Sequence, residues 1–280
     1  SLTIMNKMQD RSSIPILFDA DIEYGLHQRF PKGTDLLPLM AIAATNNPNN
    51  AYDIGKIIAK ESRAVGIHWN FSPVVDVNNN PANPIINVRS FSEDPDMVID
   101  YGIQFMKGLQ DHGMLATAKH FPGHGDTETD SHSSLAMISS DSLRLWTLEI
   151  PPFQSMINNG VDAVMVGHMH APDYQPDSDI PASMDPFWVN DILRNRLNFN
   201  GAIVTDGMGM GGITKNYSDA FALVEAVNAG CDIIIQNYDI RGSINTIEKA
   251  VMDGRISESR INESALKMLK MKEKVGLHLK

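Results

Sequence analysis

The residues best suited to chemistry are concentrated in one segment, 119–132, which reads KHFPGHGDTETDSH. Within it, Asp130 and His132 stand two residues apart. A carboxylate that accepts from one imidazole nitrogen fixes the tautomer and raises the basicity of the ring, which leaves the other nitrogen for proton transfer near neutral pH. Lys119 and His120 directly follow an apolar run, and we expect them to hydrogen-bond substrate hydroxyls. A merely solvated polar loop is the alternative, although such loops rarely concentrate histidines.

A second candidate group is the carboxylate of Asp206, which directly follows an apolar run and Thr205. Gly207 and Gly209 come after it and would let a substrate approach the backbone closely. An ionised carboxylate in this position could act as a nucleophile or as a stabiliser of positive charge. An aspartate at the end of a strand can equally cap the helix that follows, so both interpretations stay open.

Two further segments contain groups that could bind a polar ligand. Asp21 could accept hydrogen bonds from two sugar hydroxyls, whereas we expect Glu23 to be a surface charge. Arg89 follows two Asn-Pro pairs that predict a structured loop. Its guanidinium group could donate to a pair of hydroxyls or to a carbonyl, or it could pair with Glu93 or Asp94 at the surface.

The elements that must position these groups are six short apolar runs, which alternate with longer amphipathic segments. The runs cover residues 15–18, 69–75, 115–118, 163–166, 202–204 and 233–235, and their length and apolar character predict buried parallel strands. Helical spacing of apolar residues predicts helices over 52–65, 97–112 and 218–230. Such alternation predicts an α/β fold with a parallel sheet and helices outside it.

Nearly every predicted strand leads into ionisable or polar residues. In chain order these are Asp19 and Asp21, Asp76, Lys119 and His120, His168 and His170, Asp206, and Asn237 with Asp239. Functional groups collected at the carboxyl ends of many strands are typical of a (β/α)8 TIM-type barrel. We count six clear strands where a closed barrel has eight, so we expect a barrel that is incomplete at the N-terminus. No glycine-rich dinucleotide or P-loop motif follows a strand.

Composition limits the remaining possibilities. The chain has 280 residues, and its acidic residues outnumber its basic residues by 34 to 23, which argues against a nucleic-acid-binding surface. Its single cysteine, Cys231, excludes an internal disulfide framework, and no apolar run approaches the ~20 residues that span a bilayer. We expect one domain over 1–280. The polar N-terminus does not resemble a signal peptide, which favours a cytoplasmic location and leaves the compartment open.

Taken together, these segments resemble glycoside hydrolase family 3, and within it the bacterial β-N-acetylhexosaminidases. The strongest match is the segment 119–132 quoted above. The stretches DIEYGLHQRF, SPVVDVNNNPANPIINVRSFSEDP, VMVGHMHAP, PASMDP and GAIVTDGMGMGGI are similar to other blocks of the family and follow in its order. The resemblance extends from about residue 15 to 277.

The resemblance implies a retaining, exo-acting β-N-acetylglucosaminidase that needs no cofactor or metal and acts on small oligosaccharides or cell-wall glycans. It assigns Asp206 as the nucleophile that forms a covalent glycosyl-enzyme, and His132 as the general acid/base with Asp130 as its partner. The residues that it implies for substrate binding are Asp21, Arg29, Arg89, Lys119, His120 and His168.

The chain departs from the family pattern in two respects. Gly207 stands where the family usually has a second acid after the nucleophile. The family also has two further N-terminal strands that this chain does not contain. We expect an open barrel of this kind to expose an apolar flank, which other elements would close or a partner would cover, so that an oligomer is possible.

Two alternatives remain at this point. His168 and His170, with the histidines of the segment 119–132, could hold zinc in a metal-dependent barrel hydrolase. A truncated barrel could also bind sugars without turning them over.

Overall fold

The computed structural model describes residues 2–128, 130–132, 134–138, 142–175, 178, 180–236 and 238–278. Its strands are β1 (Asp19–Ala20), β2 (Trp69–Asn70), β3 (Thr117–Phe121), β4 (Ala136–Met137), β5 (Ala163–Val166), β6 (Met169–His170), β7 (Ala202–Gly207) and β8 (Ile233–Ile235). Its α-helices are α1 (Leu2–Arg11), α2 (Leu39–Ala43), α3 (Asn49–Ala64), α4 (Pro95–Gln110), α5 (Ser142–Arg144), α6 (Ile150–Asn158), α7 (Gly211–Thr214), α8 (Asp219–Ala229), α9 (Ile240–Met252) and α10 (Glu258–Lys274). Two π-helical segments cover Leu145–Glu149 and Phe187–Arg196, and 3₁₀ turns cover Leu26–Gln28, Asn87–Arg89 and Ala182–Met184.

Six of the strands follow one another in chain order around a parallel sheet. β1 pairs with β2, and β3, β5, β7 and β8 form a second group in that order. Isolated parallel bridges from Trp69 to Leu115 and from Val74 to Lys119 connect the two groups. Five of these strands overlap the apolar runs that predicted them, whereas β1 begins directly after the run 15–18. The predicted helices correspond to α3, α4 and α8. The architecture is therefore the predicted α/β arrangement of a barrel.

Two features of the sheet differ from a closed eight-stranded barrel. Among the described residues, no strand pairing connects β8 to β1. Within the described part of the chain, the short strands β4 and β6 pair with each other, in parallel, and with no other strand. The sequence pattern did not predict them. Asn237, expected at the end of the sixth strand, lies outside the described residues.

The core has two layers because side chains alternate along each strand. In β5, Ala163 and Met165 belong to an interior cluster, whereas Val164 and Val166 pack outward against the helices. The interior cluster also contains Leu17, Trp69, Phe71, Leu115, Ala202, Val204, Met271 and Val275. Met271 belongs to α10 and Val275 directly follows that helix, so the C-terminal helix packs against the interior faces of the strands.

Apolar side chains remain exposed on the helices near the ends of the sheet. They are Leu2, Ile4 and Met8 of α1, Ile240, Ile244 and Met252 of α9, and Leu266 and Leu269 of α10. The expected apolar flank of an open barrel, and association through it, stay predictions. Among the described residues, no helix combines the length and the apolar character needed to cross a bilayer.

Candidate active site

A cavity of about 290 Å³ opens where the carboxyl ends of the strands meet. It brings together seven of the nine residues expected to carry function, and its lining comprises Asp21, Glu23, Tyr24, Gln28, Arg29, Arg89, Lys119, His120, His132, Met165 and Asp206. These residues come from loops and strand ends that are far apart in sequence. The convergence follows from the parallel order of the strands, which places all their carboxyl ends on one side.

Asp206 lies at the carboxyl end of β7, partly exposed in the cavity. Its Oδ1 accepts a hydrogen bond of 2.7 Å from the Gly207 N–H. Burial would raise the pKa of this carboxyl group, but the His120 ring and the Gly207 N–H outweigh burial and lower its pKa. The next helix, α7, begins at Gly211 without a side-chain cap. The ionised carboxylate of Asp206 therefore faces the cavity and does not cap the next helix.

Glu23 is the buried centre of an ion-pair cluster, so the expectation of a surface charge was wrong. It is 5% exposed, and its two oxygens accept from Arg89 Nε and Nη2 at 2.9 and 2.8 Å. Lys119 Nζ lies 2.8 Å from Glu23 Oε1. Burial would raise the pKa of Glu23, but Lys119 and Arg89 outweigh burial and hold that pKa far below its ordinary value. Arg89 is thus fixed at the cavity by Glu23, not by Glu93 or Asp94.

Asp21 remains accessible at the same cluster. Lys119 Nζ donates to Asp21 Oδ1 at 2.9 Å, and Arg29 Nη2 lies 3.4 Å from Asp21 Oδ2. The side chains of Asp21 and Arg29 are 45% and 46% exposed, whereas that of Lys119 is only 2% exposed. Asp21 and Arg29 therefore combine fixed positions with free surface, as groups that bind hydroxyls require.

His120 is oriented by a buried carboxylate that follows β2. Asp76 is 1% exposed and its Oδ2 lies 2.8 Å from His120 Nδ1. The backbone N–H of His120 also donates to both Asp76 oxygens at 3.2 Å. With Nδ1 donating to Asp76, the Nε2 atom faces Arg89 Nη2 at 3.5 Å. Asp76 therefore fixes the ring of His120 at the cavity.

Asp130 and His132 form the dyad that their spacing predicted. His132 Nδ1 lies 2.7 Å from Asp130 Oδ1, and the His132 backbone N–H donates to the same oxygen at 2.8 Å. Burial raises the pKa of Asp130, but the hydrogen bonds from His132 outweigh burial and lower that pKa. The His132 side chain is 58% exposed. The ionised Asp130 therefore accepts from His132 Nδ1–H, and Nε2 is the ring nitrogen that Asp130 does not contact.

His168, expected to bind substrate, lies outside the lining of the cavity. It is fully buried, with Nδ1 2.8 Å from Ser183 Oγ and Nε2 3.0 Å from the Gly207 carbonyl oxygen. Burial lowers the pKa of His168, so the ring is neutral and supports the backbone beside Asp206. The engagement of both nitrogens also argues against a metal site with His170. Within the described ranges, no group of three or more His, Cys, Asp or Glu side chains is arranged to hold a metal ion.

Comparison with known families agrees with this geometry. The Glycosyl hydrolase family 3 N terminal domain matches residues 2–271. The chain belongs to glycosyl hydrolase family 3.

Relatives and solved structures of family 3 match the chain over nearly its whole length. The β-N-acetylglucosaminidase/β-glucosidase of Cellulomonas fimi is 34% identical over 97% of this chain and 50% of its own length. The structure of a family 3 β-N-acetylglucosaminidase from Paenibacillus aligns with a TM-score of 0.94 and 37% identity, over 99% of this chain and 54% of its own. A β-glucoside phosphorylase, BglX, aligns with a TM-score of 0.92 and 28% identity over 99% and 52% of the two chains. The chain thus spans about half the length of these proteins, and the similarity confirms the TIM-barrel-type fold.

Sequence reasoning missed two residues that organise this family 3 site. The burial of Glu23 depends on its partner Arg89, which is 66 residues away in the sequence. Asp76 is the other residue, and its position directly after an apolar run is a usable signal, because Lys119, His120 and Asp206 follow apolar runs in the same way. Tyr24, Gln28 and Met165 line the cavity without having been singled out.

Proposed function

We propose that this barrel is the catalytic domain of a retaining, exo-acting β-N-acetylglucosaminidase. The observation that carries the proposal is that an ionised Asp206 and His132, whose Nδ1 is held by Asp130, border one cavity. Hydroxyl-binding groups surround the same space. The names of the relatives support the N-acetylhexosamine class of substrate. The polar cavity suits the terminal sugar of a small oligosaccharide or cell-wall glycan.

The proposed reaction has two steps. An Asp206 oxygen attacks the anomeric carbon, and the bond from that carbon to the leaving oxygen breaks while His132 Nε2–H protonates the leaving oxygen. In the second step the neutral His132 takes a proton from water, whose oxygen attacks the anomeric carbon and releases Asp206. Asp130 stabilises the imidazolium that exists before the first step and after the second.

The ion-pair cluster beside the nucleophile would bind the terminal sugar. Asp21 accepts from two adjacent hydroxyls, and Arg29 and Lys119 donate to hydroxyl oxygens. Arg89 adds a donor to the same cavity, and His120 lies beside it with Nε2 as an acceptor. Because Glu23 and Asp76 hold these groups in place before the substrate arrives, binding requires little reorganisation of the site.

Replacement of the nucleophile tests this proposal. We expect the purified chain to release 4-nitrophenol from 4-nitrophenyl β-N-acetylglucosaminide. Asp206→Ala should lose turnover by at least about a thousandfold, because it removes the proposed nucleophile. Asp206→Gly should regain turnover in azide, which replaces the missing carboxylate as the nucleophile. Asp191→Ala, which changes an exposed aspartate outside the cavity, is the matched control. Unchanged turnover in Asp206→Ala would refute the assignment.

A panel of substrates tests the specificity. We expect the aryl N-acetylglucosaminide to be cleaved faster than the glucoside, xyloside and arabinofuranoside. Each should be assayed with and without phosphate, since one structural neighbour is named a phosphorylase. Binding of the sugar without any cleavage, or without a glycosyl adduct of Asp206 on reaction with a fluorinated substrate, would instead support a non-catalytic sugar-binding barrel.

A further inference from the structure

A buried histidine connects the loop after β3 to the exposed dyad. His124 is 2% exposed, and both of its ring nitrogens meet hydroxyl groups. Nδ1 lies 2.5 Å from Thr127 Oγ1, and Nε2 lies 2.9 Å from Ser131 Oγ. Ser131 stands between Asp130 and His132 and is 2% exposed, whereas the His132 side chain is 58% exposed. The buried contact of Ser131 is therefore the anchor of an otherwise exposed segment.

The hydrogen-bond partners determine which nitrogen of His124 carries the proton. The Thr127 hydroxyl donates its proton to the His124 carbonyl oxygen at 3.0 Å, so Thr127 Oγ1 accepts from His124 Nδ1–H. In the neutral ring Nε2 is then the acceptor, and Ser131 Oγ–H donates to it. Burial lowers the pKa of His124 to about 4, which keeps this tautomer uncharged near neutral pH.

The backbone of His124 is fixed by the same carboxylate that orients a sugar-binding residue. The His124 N–H donates to Asp76 Oδ1 at 2.7 Å, and Asp76 also holds the ring and the backbone N–H of His120. One buried carboxylate thus sets the position of both His120 and His124.

The other side of the dyad segment is hydrogen-bonded to the first residues of α7, the helix that follows the nucleophile. The Gly211 N–H donates to the His132 carbonyl oxygen at 2.9 Å, and the Gly212 N–H donates to the Ser131 carbonyl oxygen at 3.1 Å. These two glycines follow Asp206 by only a few residues. Ser131 and His132 are therefore held between the loop after β3 and the start of α7, which fixes the dyad relative to the nucleophile.

We propose that His124 and Ser131 are positioning residues for proton transfer by His132, acting through the Ser131 Oγ–H to His124 Nε2 hydrogen bond. This inference rests on the proposed function, because it assigns a purpose to the dyad. Neither residue touches the sugar. Their contribution is to keep His132 Nε2 within reach of the leaving oxygen, where a displacement of about 1 Å can cost about a hundredfold in rate.

Matched variants separate this role from general support of the fold. His124→Gln can place an acceptor near the position of Nε2, whereas His124→Asn can replace only the donor at Nδ1. Ser131→Ala removes the same hydrogen bond from its other end. We expect Ser131→Ala and His124→Asn to lower kcat/KM at least about tenfold for an aryl N-acetylglucosaminide with a poor leaving group such as 4-methoxyphenol. His124→Gln should retain most of the activity.

The leaving group supplies the decisive readout, because a 2,4-dinitrophenolate departs without protonation. With that substrate, kcat/KM of Ser131→Ala and His124→Asn should change less than about twofold, and azide should raise kcat because it needs no general base. The double variant should lose no more than either single variant, since both changes remove one hydrogen bond. Circular dichroism and thermal melting establish that each variant is folded.

His132→Ala, assayed with the same substrates, distinguishes failure of the positioning role from failure of the dyad assignment. If kcat/KM of His132→Ala depends strongly on the leaving group while that of Ser131→Ala and His124→Asn does not, the positioning role is wrong and the proposed function stands. If His132→Ala shows no such dependence, the dyad assignment fails and the positioning role fails with it. If Ser131→Ala lowers kcat/KM equally with both leaving groups, the Ser131–His124 hydrogen bond only stabilises the fold.

Discussion

At the scale of single residues, the most unusual group beside the site is a buried carboxylic acid that the proposed reaction does not use. Glu149 is 1% exposed, and its Oε1 accepts from Asn79 Nδ2 at 2.8 Å. A Cβ at Gly123 would lie 2.7 Å from Oε2, so the carboxyl group packs directly against the loop after β3. Burial, together with the charges of Asp76 and Asp126, raises the pKa of Glu149 to about 8.

This pKa predicts how stability depends on pH. The folded state keeps the Glu149 proton up to about pH 8, whereas the unfolded chain releases it near 4.5. The contribution of Glu149 to stability is therefore fully present below pH 4.5 and is lost as pH rises toward 8. Relative to Glu149→Gln, which does not titrate, we expect the free energy of unfolding of the native chain to fall between pH 5 and pH 8, as measured by urea unfolding at each pH. Glu93→Gln, at an exposed position, is the control, and parallel curves for the native chain and Glu149→Gln would contradict the prediction.

Some residues of the cavity could be predicted from the sequence and others could not. Position after an apolar run was enough to predict Asp206, Lys119 and His120 at one cavity, because the parallel order of strands turns sequence position into spatial position. It could not predict that Glu23 is buried, since its burial depends on cations supplied by two distant segments. His168 follows a strand like the others, but its ring turns into the core toward Ser183.

At the scale of elements, α3 and α4 pack closely because each presents a glycine to the other. A Cβ at Gly108 would overlap the carbonyl oxygen of Tyr52, and a Cβ at Gly55 would overlap that of Phe105. Amphipathic spacing predicted both helices within three residues of their observed bounds. It could not predict this contact, or the pairing of β4 with β6, because both depend on which surfaces meet after folding.

The glycine contact predicts an asymmetry between two changes in one helix. Gly108→Ala should lower the free energy of unfolding by about 1–3 kcal/mol, since the methyl group meets rigid backbone and pushes α3 away. Gly102→Ala makes the same change in α4, but there the added Cβ meets only the side chains of Val75 and Met156 at 3.3 and 3.5 Å. These two side chains can adjust, and alanine favours the helix over glycine by up to about 1 kcal/mol. We therefore expect Gly102→Ala to lower the free energy of unfolding little or not at all. Urea unfolding measures the free energy of unfolding of both variants. Equal losses would show that the close backbone contact of α3 with α4 at Gly108 does not determine the effect.

At the scale of the whole molecule, the barrel has a functional end and a supporting end. The cavity lies at the carboxyl ends of the strands, whereas α10 packs at their amino ends. Asp232, directly before β8, accepts from Arg260 Nη2 at 2.6 Å and from Lys267 Nζ at 3.1 Å. Lys274, at the end of α10, pairs with Asp162, directly before β5. The order of the six strands could be predicted from the sequence, but this docking could not, since α10 has an unremarkable amphipathic pattern.

The docking of α10 predicts that stability and catalysis depend on opposite ends of the barrel. Met271 is 7% exposed and belongs to the interior cluster, whereas Met252 of α9 is 80% exposed. Met271→Ala should lower the free energy of unfolding by about 2–5 kcal/mol, because it leaves a cavity among the strands. Met252→Ala makes the same change in another helix and should stay within about 0.5 kcal/mol of the native chain. Well below its melting temperature, Met271→Ala should keep its KM for the aryl N-acetylglucosaminide, since the ion-pair cluster at the far end is untouched. A raised KM, or equal stability of the two variants, would mean that α10 is not the independent support that this packing indicates.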